Sequence, residues 1–193
     1  MLYAASTDFY SALLKDPTLG NLDTHSPYHA LWGLNHTRIV TANGVQTLTI
    51  PLEKPTLGKL TPLRDLRISR HGHWERIHYG ALYSGYGKSP FFEYLQDDIK
   101  RLYEQRPVWL MDFNLAFHRA ITDMLDLGRY ISPTADTVTV EEIERRLQQE
   151  HTHEVPPYYQ VWQDRYGFTP HLSILDMLFN VGREAILYLR EGL

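Results

Sequence analysis

An α+β fold is predicted for this chain, as a single domain over residues 1–193. The early half is β-rich and includes an Asn-Gly hairpin, and the C-terminal half is helical. Three observations predict it. Asn43-Gly44 lies between two alternating β-branched runs, "TRIVTA" and "VQTLTI", the strongest short-range hairpin cue. From Trp74 onward the apolar residues change to helical spacing. A length of 193 residues with 43% hydrophobic content suffices to bury one core.

Each element follows in chain order. Leu2 to Ala5 reads as a short strand. Thr7 or Asp8 then caps a helix through Leu14, stopped near Pro17. Leu19 to Asp23 is a second candidate strand. In the hairpin, Ile39 and Thr41 flank one side, and Val45, Thr47 and Thr49 alternate with Leu48 and Ile50 on the other. Residues 53–62 carry Pro55, Gly58 and Pro62 and read as a loop. Arg64 to Ser69 alternates again, which predicts a strand. Trp74 to Tyr86 is a helix with Trp74, Ile77, His78, Ala81 and Leu82 at helical spacing. Ser89-Pro90 opens the next helix, which runs to about Gln105 before Pro107. A long helix over Val108–Leu127 ends at Gly128. Residues 130–139 are a candidate returning strand. Val140 to Glu150 is a charged helix, and 151–171 a loop. Two last helices, Leu172–Asn180 and Arg183–Leu189, join near Gly182. Early strands and late helices give α+β rather than a regular alternation.

Composition narrows the function classes. There are no cysteines, which excludes disulfides, thiol catalysis, thiolate zinc and iron–sulfur clusters. A formal net charge of −4 does not favour binding to nucleic acid. No apolar run is long enough to span a bilayer, and the N-terminus lacks a basic segment followed by an apolar one. A cytoplasmic protein with no membrane span is expected. Its partner is expected to be a small-molecule or sugar-linked substrate. Cofactor and oligomeric state stay open at this level.

Several residues carry possible chemistry. His71 and His73 form one His-x-His pair, and His151 and His153 another. Together they have the ligand count of a zinc site. Nothing brings the pairs together, and no HExxH spacing accompanies them, so no metal is expected. His78 sits one turn after Trp74, where the two side chains are neighbours. An imidazole partly buried against an indole is a candidate general base, and equally a core-edge histidine with one bonded nitrogen. The arginines at 64, 67, 70 and 76 form either an anion-binding cluster or a solvated face. There is no GxSxG, P-loop or GxGxxG pattern. In "TPHLSILDMLFNVG", Ser173 is a candidate cap with Asp176 as the later member of a capping box, and Asn180 and Gly182 end the helix.

That last run resembles the closing motif of the WbqC-like protein family. Pro170, Leu172, Ser173, Ile174, Asp176, Leu178, Phe179, Asn180 and Gly182 match it. "IVTANGVQTLTIP" is similar to the family's hairpin. Trp74, His78, Tyr86, Pro90 to Phe92 and Asn114 follow in the family's order. Two segments depart. "AASTDFY" stands where many members carry a Gln-Pro strand end, and His36 follows Asn35 where many carry arginine, with Arg38 close by. The resemblance implies a role in the biosynthesis of surface polysaccharide of the O-antigen type. It also implies transfer of a glycyl or other acyl group to a sugar, or binding and scaffolding in the same pathway. On that reading His78 is the catalytic base and Asp176 its orienting partner. Asn35, Arg38, Trp74, Tyr86, Asn114, Ser173 and Asn180 contact the substrate. A purely structural use of the shared residues is the rival expectation.

Overall fold

The structure is a computed structural model, and it describes residues 1–28, 33–53, 61–129, 136–150 and 155–191. It is α+β: one antiparallel hairpin in the N-terminal half, with helices mostly after it. Ser6, rather than Thr7 or Asp8, caps helix α1 (Thr7–Lys15), its hydroxyl accepting from the Phe9 amide at 3.3 Å. Asp16 and Pro17 end α1 and start a 3₁₀ turn.

Strands β1 (His36–Thr41) and β2 (Gly44–Thr49) pair from His36↔Thr49 to Thr41↔Gly44. The turn differs from the expected one. Its central residues are Ala42 and Asn43, and the left-handed position falls on Gly44 at φ 91°. Leu48 and Ile39 face the core, whereas Val45 is exposed. The hairpin's outer β1 edge is closed by other elements. Ser173 donates its amide to the Arg38 carbonyl at 2.8 Å, and the Val40 amide donates to the Tyr86 hydroxyl at 3.1 Å.

The other expected strands do not form ladders. Leu2–Ala5 is a buried turn, with Ala4 left-handed at φ 38°. Leu22 makes a single bridge with Val138, after a 3₁₀ turn at Pro17–Gly20. Residues 64–69 begin in a 3₁₀ turn, and Arg67 and Ile68 make isolated bridges with Trp109 and Leu52. An alternating sequence supplies a strand's faces but no partner for its backbone. The rest of the candidate strand over 130–139, as far as residue 135, lies outside the described residues.

The helices follow the periodicity more closely. They are α2 (Trp74–Tyr86), α3 (Phe92–Glu104), α4 (Leu110–Met124), α5 (Val140–Glu150), a single turn α6 (Gln163–Tyr166), α7 (Ile174–Val181) and α8 (Ala185–Glu191). Helix α6 falls in the expected loop. Ser173 caps α7 as expected, accepting from the Leu175 amide at 3.3 Å. Gly182 ends α7 at φ 59°. A Cβ there would sit 2.6 Å from the Phe91 ring, so both backbone and space require glycine. No described helix is long and apolar enough to cross a membrane.

Candidate functional site

The sequence-chosen polar residues settle in three places. The first is an aromatic core. Trp74 and His78 share one face of α2 and meet ring to ring at 5.2 Å. His78 is 3% exposed, and its Nδ1 accepts from the Tyr3 hydroxyl at 2.9 Å. Tyr3 and Tyr103 hydroxyls meet at 2.5 Å behind it. Desolvation pulls the imidazole down to about 4, against a backbone hydrogen bond with Thr49 that favours the protonated ring. His78 is therefore a neutral, buried ring at pH 7.

The second place is the start of α7. Asp176 is 0% exposed. Its Oδ2 accepts from the Tyr158 hydroxyl at 2.6 Å and from Gln160 Nε2 at 2.9 Å. Burial pushes the carboxyl up to about 6, while Tyr158, Tyr86 and Gln160 hold it down. Asp176 Oδ1 has no hydrogen-bond partner among the described residues. The carboxylate thus leaves the capping-box role and pins the segment before α7 instead. Asn180 completes this, its Oδ1 accepting from the Val161 amide at 2.9 Å and its Nδ2 donating to the Asp176 carbonyl at 2.8 Å. Tyr86 is wholly buried beside Phe179. Asn114 and Asn35 are buried as well. Asn114 donates to the carbonyls of Met1 at 3.0 Å and Leu34 at 2.7 Å, and Asn35 donates to that of Ile50 at 2.9 Å. Among the described residues, His78 and Asp176 share no hydrogen-bond partner.

The third place is a cleft of about 330 Å³ where the N-terminal turn, α1, β1, α5 and the start of α7 meet. Its seam is built from backbone and hydroxyl bonds. The Ala4 carbonyl accepts from Thr37 Oγ1 and Ser173 Oγ, both at 2.8 Å. The Thr7 amide donates to Leu172 O at 3.0 Å, and the Ile174 amide to Ala5 O at 2.9 Å. Ser173 lines the cleft but is itself sealed by these bonds.

Arg38 and His36 project from the same side of β1 into this cleft, two residues apart as the pleat requires. The Arg38 guanidinium makes no hydrogen bond or ion pair among the described residues. Burial lowers the His36 pKa, and its Nδ1 meets Thr49 Oγ1 at 2.8 Å. Opposite stands a pair that the sequence did not single out: His171 Nδ1 lies 3.0 Å from Asp8 Oδ2. Asp8 is in the first turn of α1, and His171 holds a left-handed backbone at φ 59° just ahead of Ser173. No short-range signal joins residues 163 positions apart. The segment "AASTDFY" and His36 both wall this cleft, through Ala5, Ser6, Asp8 and His36.

A wider, more open groove of about 740 Å³ runs between α3, α4 and α7, with Phe91, Tyr94 and Leu95 along it. Its Arg101 is paired with Asp98. His71 and His73 are exposed in a 3₁₀ turn before α2. His151 and His153 lie outside the described residues. Among the described residues, no three metal-ligating side chains converge.

A family model described as the WbqC-like protein family matches residues 28–151 and 141–188 of the chain. No curated protein and no solved structure matches it.

Proposed function

The chain belongs to the WbqC-like protein family, and from that premise we propose that it is a cytoplasmic enzyme of surface-polysaccharide (O-antigen type) biosynthesis. It transfers a glycyl or other acyl group to a sugar-linked acceptor. The substrate binds in the cleft between α1, β1, α5 and α7.

One observation carries this reading. Arg38 presents a guanidinium without a protein partner among the described residues to a concave site, beside His36. A planar fork of donors suits a carboxylate or a diphosphate, the anionic parts of an amino-acid donor or a sugar nucleotide. The polar residues shared with the family supply the frame. Ser173 locks β1 to α7, and Asp176 and Asn180 set the segment leading into α7.

A second reading, ligand binding or scaffolding without chemistry, is favoured by the burial of His78 and Asp176 away from both cavities. Titration with a uridine-diphosphate amino sugar, with and without acetyl-coenzyme A, separates the two. The enzyme reading expects binding and an acylated product. It also expects Arg38→Ala to weaken binding by roughly tenfold to a hundredfold, the worth of one charged hydrogen-bonding group. Binding without product supports the scaffold. Unchanged binding in Arg38→Ala removes Arg38 from the site.

A further inference from the structure

Arg38 answers only the anionic end of a substrate. A second charged side chain of the cleft also lacks a protein partner. Glu144 lines the cleft from α5, one turn before Gln148. Its carboxylate makes no hydrogen bond or ion pair among the described residues. We propose that the cleft takes a small zwitterion, with an anionic group on Arg38 and a free ammonium group on Glu144; this rests on the cleft being the substrate site.

The titratable and charged groups of the cleft sort into two sets. Asp8 is paired with His171 at 3.0 Å, and His36 Nδ1 meets Thr49 Oγ1 at 2.8 Å, so the protein itself engages these groups. Arg38 on β1 and Glu144 on α5 are not engaged, and they form no ion pair with each other. A ligand with an anionic group alone meets Arg38 but is repelled by Glu144. A neutral ligand leaves both charges unanswered. An ammonium and an anion on one molecule satisfy both walls. The rest of the lining bounds the ligand's size. Ile143 and Leu147 form an apolar stripe beside Glu144, with Leu2 across from them in the N-terminal turn. The volume of about 330 Å³ is at the low end of the roughly 300–1,000 Å³ of ligand pockets. That room suits an amino acid or a monosaccharide phosphate rather than an oligosaccharide.

Two sources share this chemistry: a free amino acid, and an amino sugar phosphate whose amine is not acylated. In both, turning the amine into an amide removes the positive charge and with it the attraction to Glu144. Gln148, one turn on, offers a carbonyl oxygen as a second acceptor for the ammonium. Glu144 is thus a specificity-determining residue that separates a free amine from its amide.

The test is calorimetric titration of the full chain, at low ionic strength and a pH where the amines are protonated. The probes are glycine, N-acetylglycine, glucosamine 1-phosphate and N-acetylglucosamine 1-phosphate. At least one free amine is expected to bind more tightly than its N-acetyl counterpart by roughly tenfold, the worth of one charged contact. Preference within the glycine pair identifies an amino acid, and within the glucosamine pair an amino sugar phosphate. The preference is expected to shrink as salt is raised. Glu144→Gln replaces an exposed helical residue with another good helix former, so the fold is kept. In that variant the free amine is expected to weaken to the level of its amide, with binding of the amide unchanged. Equal binding of amine and amide by wild type overturns the proposal and leaves Arg38's anion site in place. A preference that survives in Glu144→Gln, or an equal loss of both compounds there, also overturns it. Binding of none of the four overturns it too, and the cleft as substrate site then stands or falls separately, on titration with the uridine-diphosphate amino sugar.

Discussion

Replacing Asp176 with asparagine isolates what it costs to bury this carboxylate. The wild-type group rises from 3.8 to about 6 on folding, with burial the largest cause. A rise of about two units corresponds to about 3 kcal/mol between its two protonation states. The sign follows from linkage. A raised folded-state value means that the native chain holds the proton more tightly than the unfolded chain. The stabilisation is fully present below about 3.8 and is lost as pH rises through about 6. Asparagine keeps an oxygen for Tyr158 and Gln160 to donate to, and it does not titrate. Its amide nitrogen would take the place of the unpartnered Oδ1, a constant cost at every pH. The variant should therefore gain on wild type by about 2.4 kcal/mol between pH 4 and pH 7.5, whatever its offset. Urea denaturation of both proteins across that range measures the difference, and the titration of His78, common to both, cancels in it. Curves that run parallel, or converge in the opposite direction, would refute the assignment of a raised carboxyl.

Two further predictions concern the frame. His78 is depressed to about 4 by desolvation; its contribution is present above its unfolded value near 6.5 and is lost as pH falls through about 4. His78→Gln should flatten the acid limb of the stability profile by about 3 kcal/mol over that window, read by the same denaturation series. Gly182→Ala puts a methyl 2.6 Å from the Phe91 ring at a backbone φ of 59°. It should destabilise the chain by about 2–4 kcal/mol from strain and overpacking together, and a melting temperature within a degree of wild type would contradict this.

The sequence by itself determined the elements whose signals are local. The hairpin follows from two β-branched runs around a turn with one left-handed position, although that position is Gly44 rather than an Asn-Gly pair. Helix α2 begins at Trp74 and α5 spans Val140–Glu150, as their apolar spacing requires. Ser173 and Gly182 bound α7 because a hydroxyl cap and a left-handed stop act within one turn. The family was legible for the same reason: its motif is a contiguous run. Tertiary structure alone decided which polar residues face water. His78 and Asp176 look equally available as letters, yet one is closed in by Tyr3, Trp74 and Tyr103 and the other by Tyr158 and Gln160. It also decided where the backbone of Leu2–Ala5 and residues 64–69 would find partners, which was at single bridges and side chains rather than in a ladder. The cleft joins Asp8, Arg38 and His171 from three distant segments. Periodicity and capping reach only a few residues along the chain, whereas burial and charge pairing depend on which surfaces close over one another when it folds.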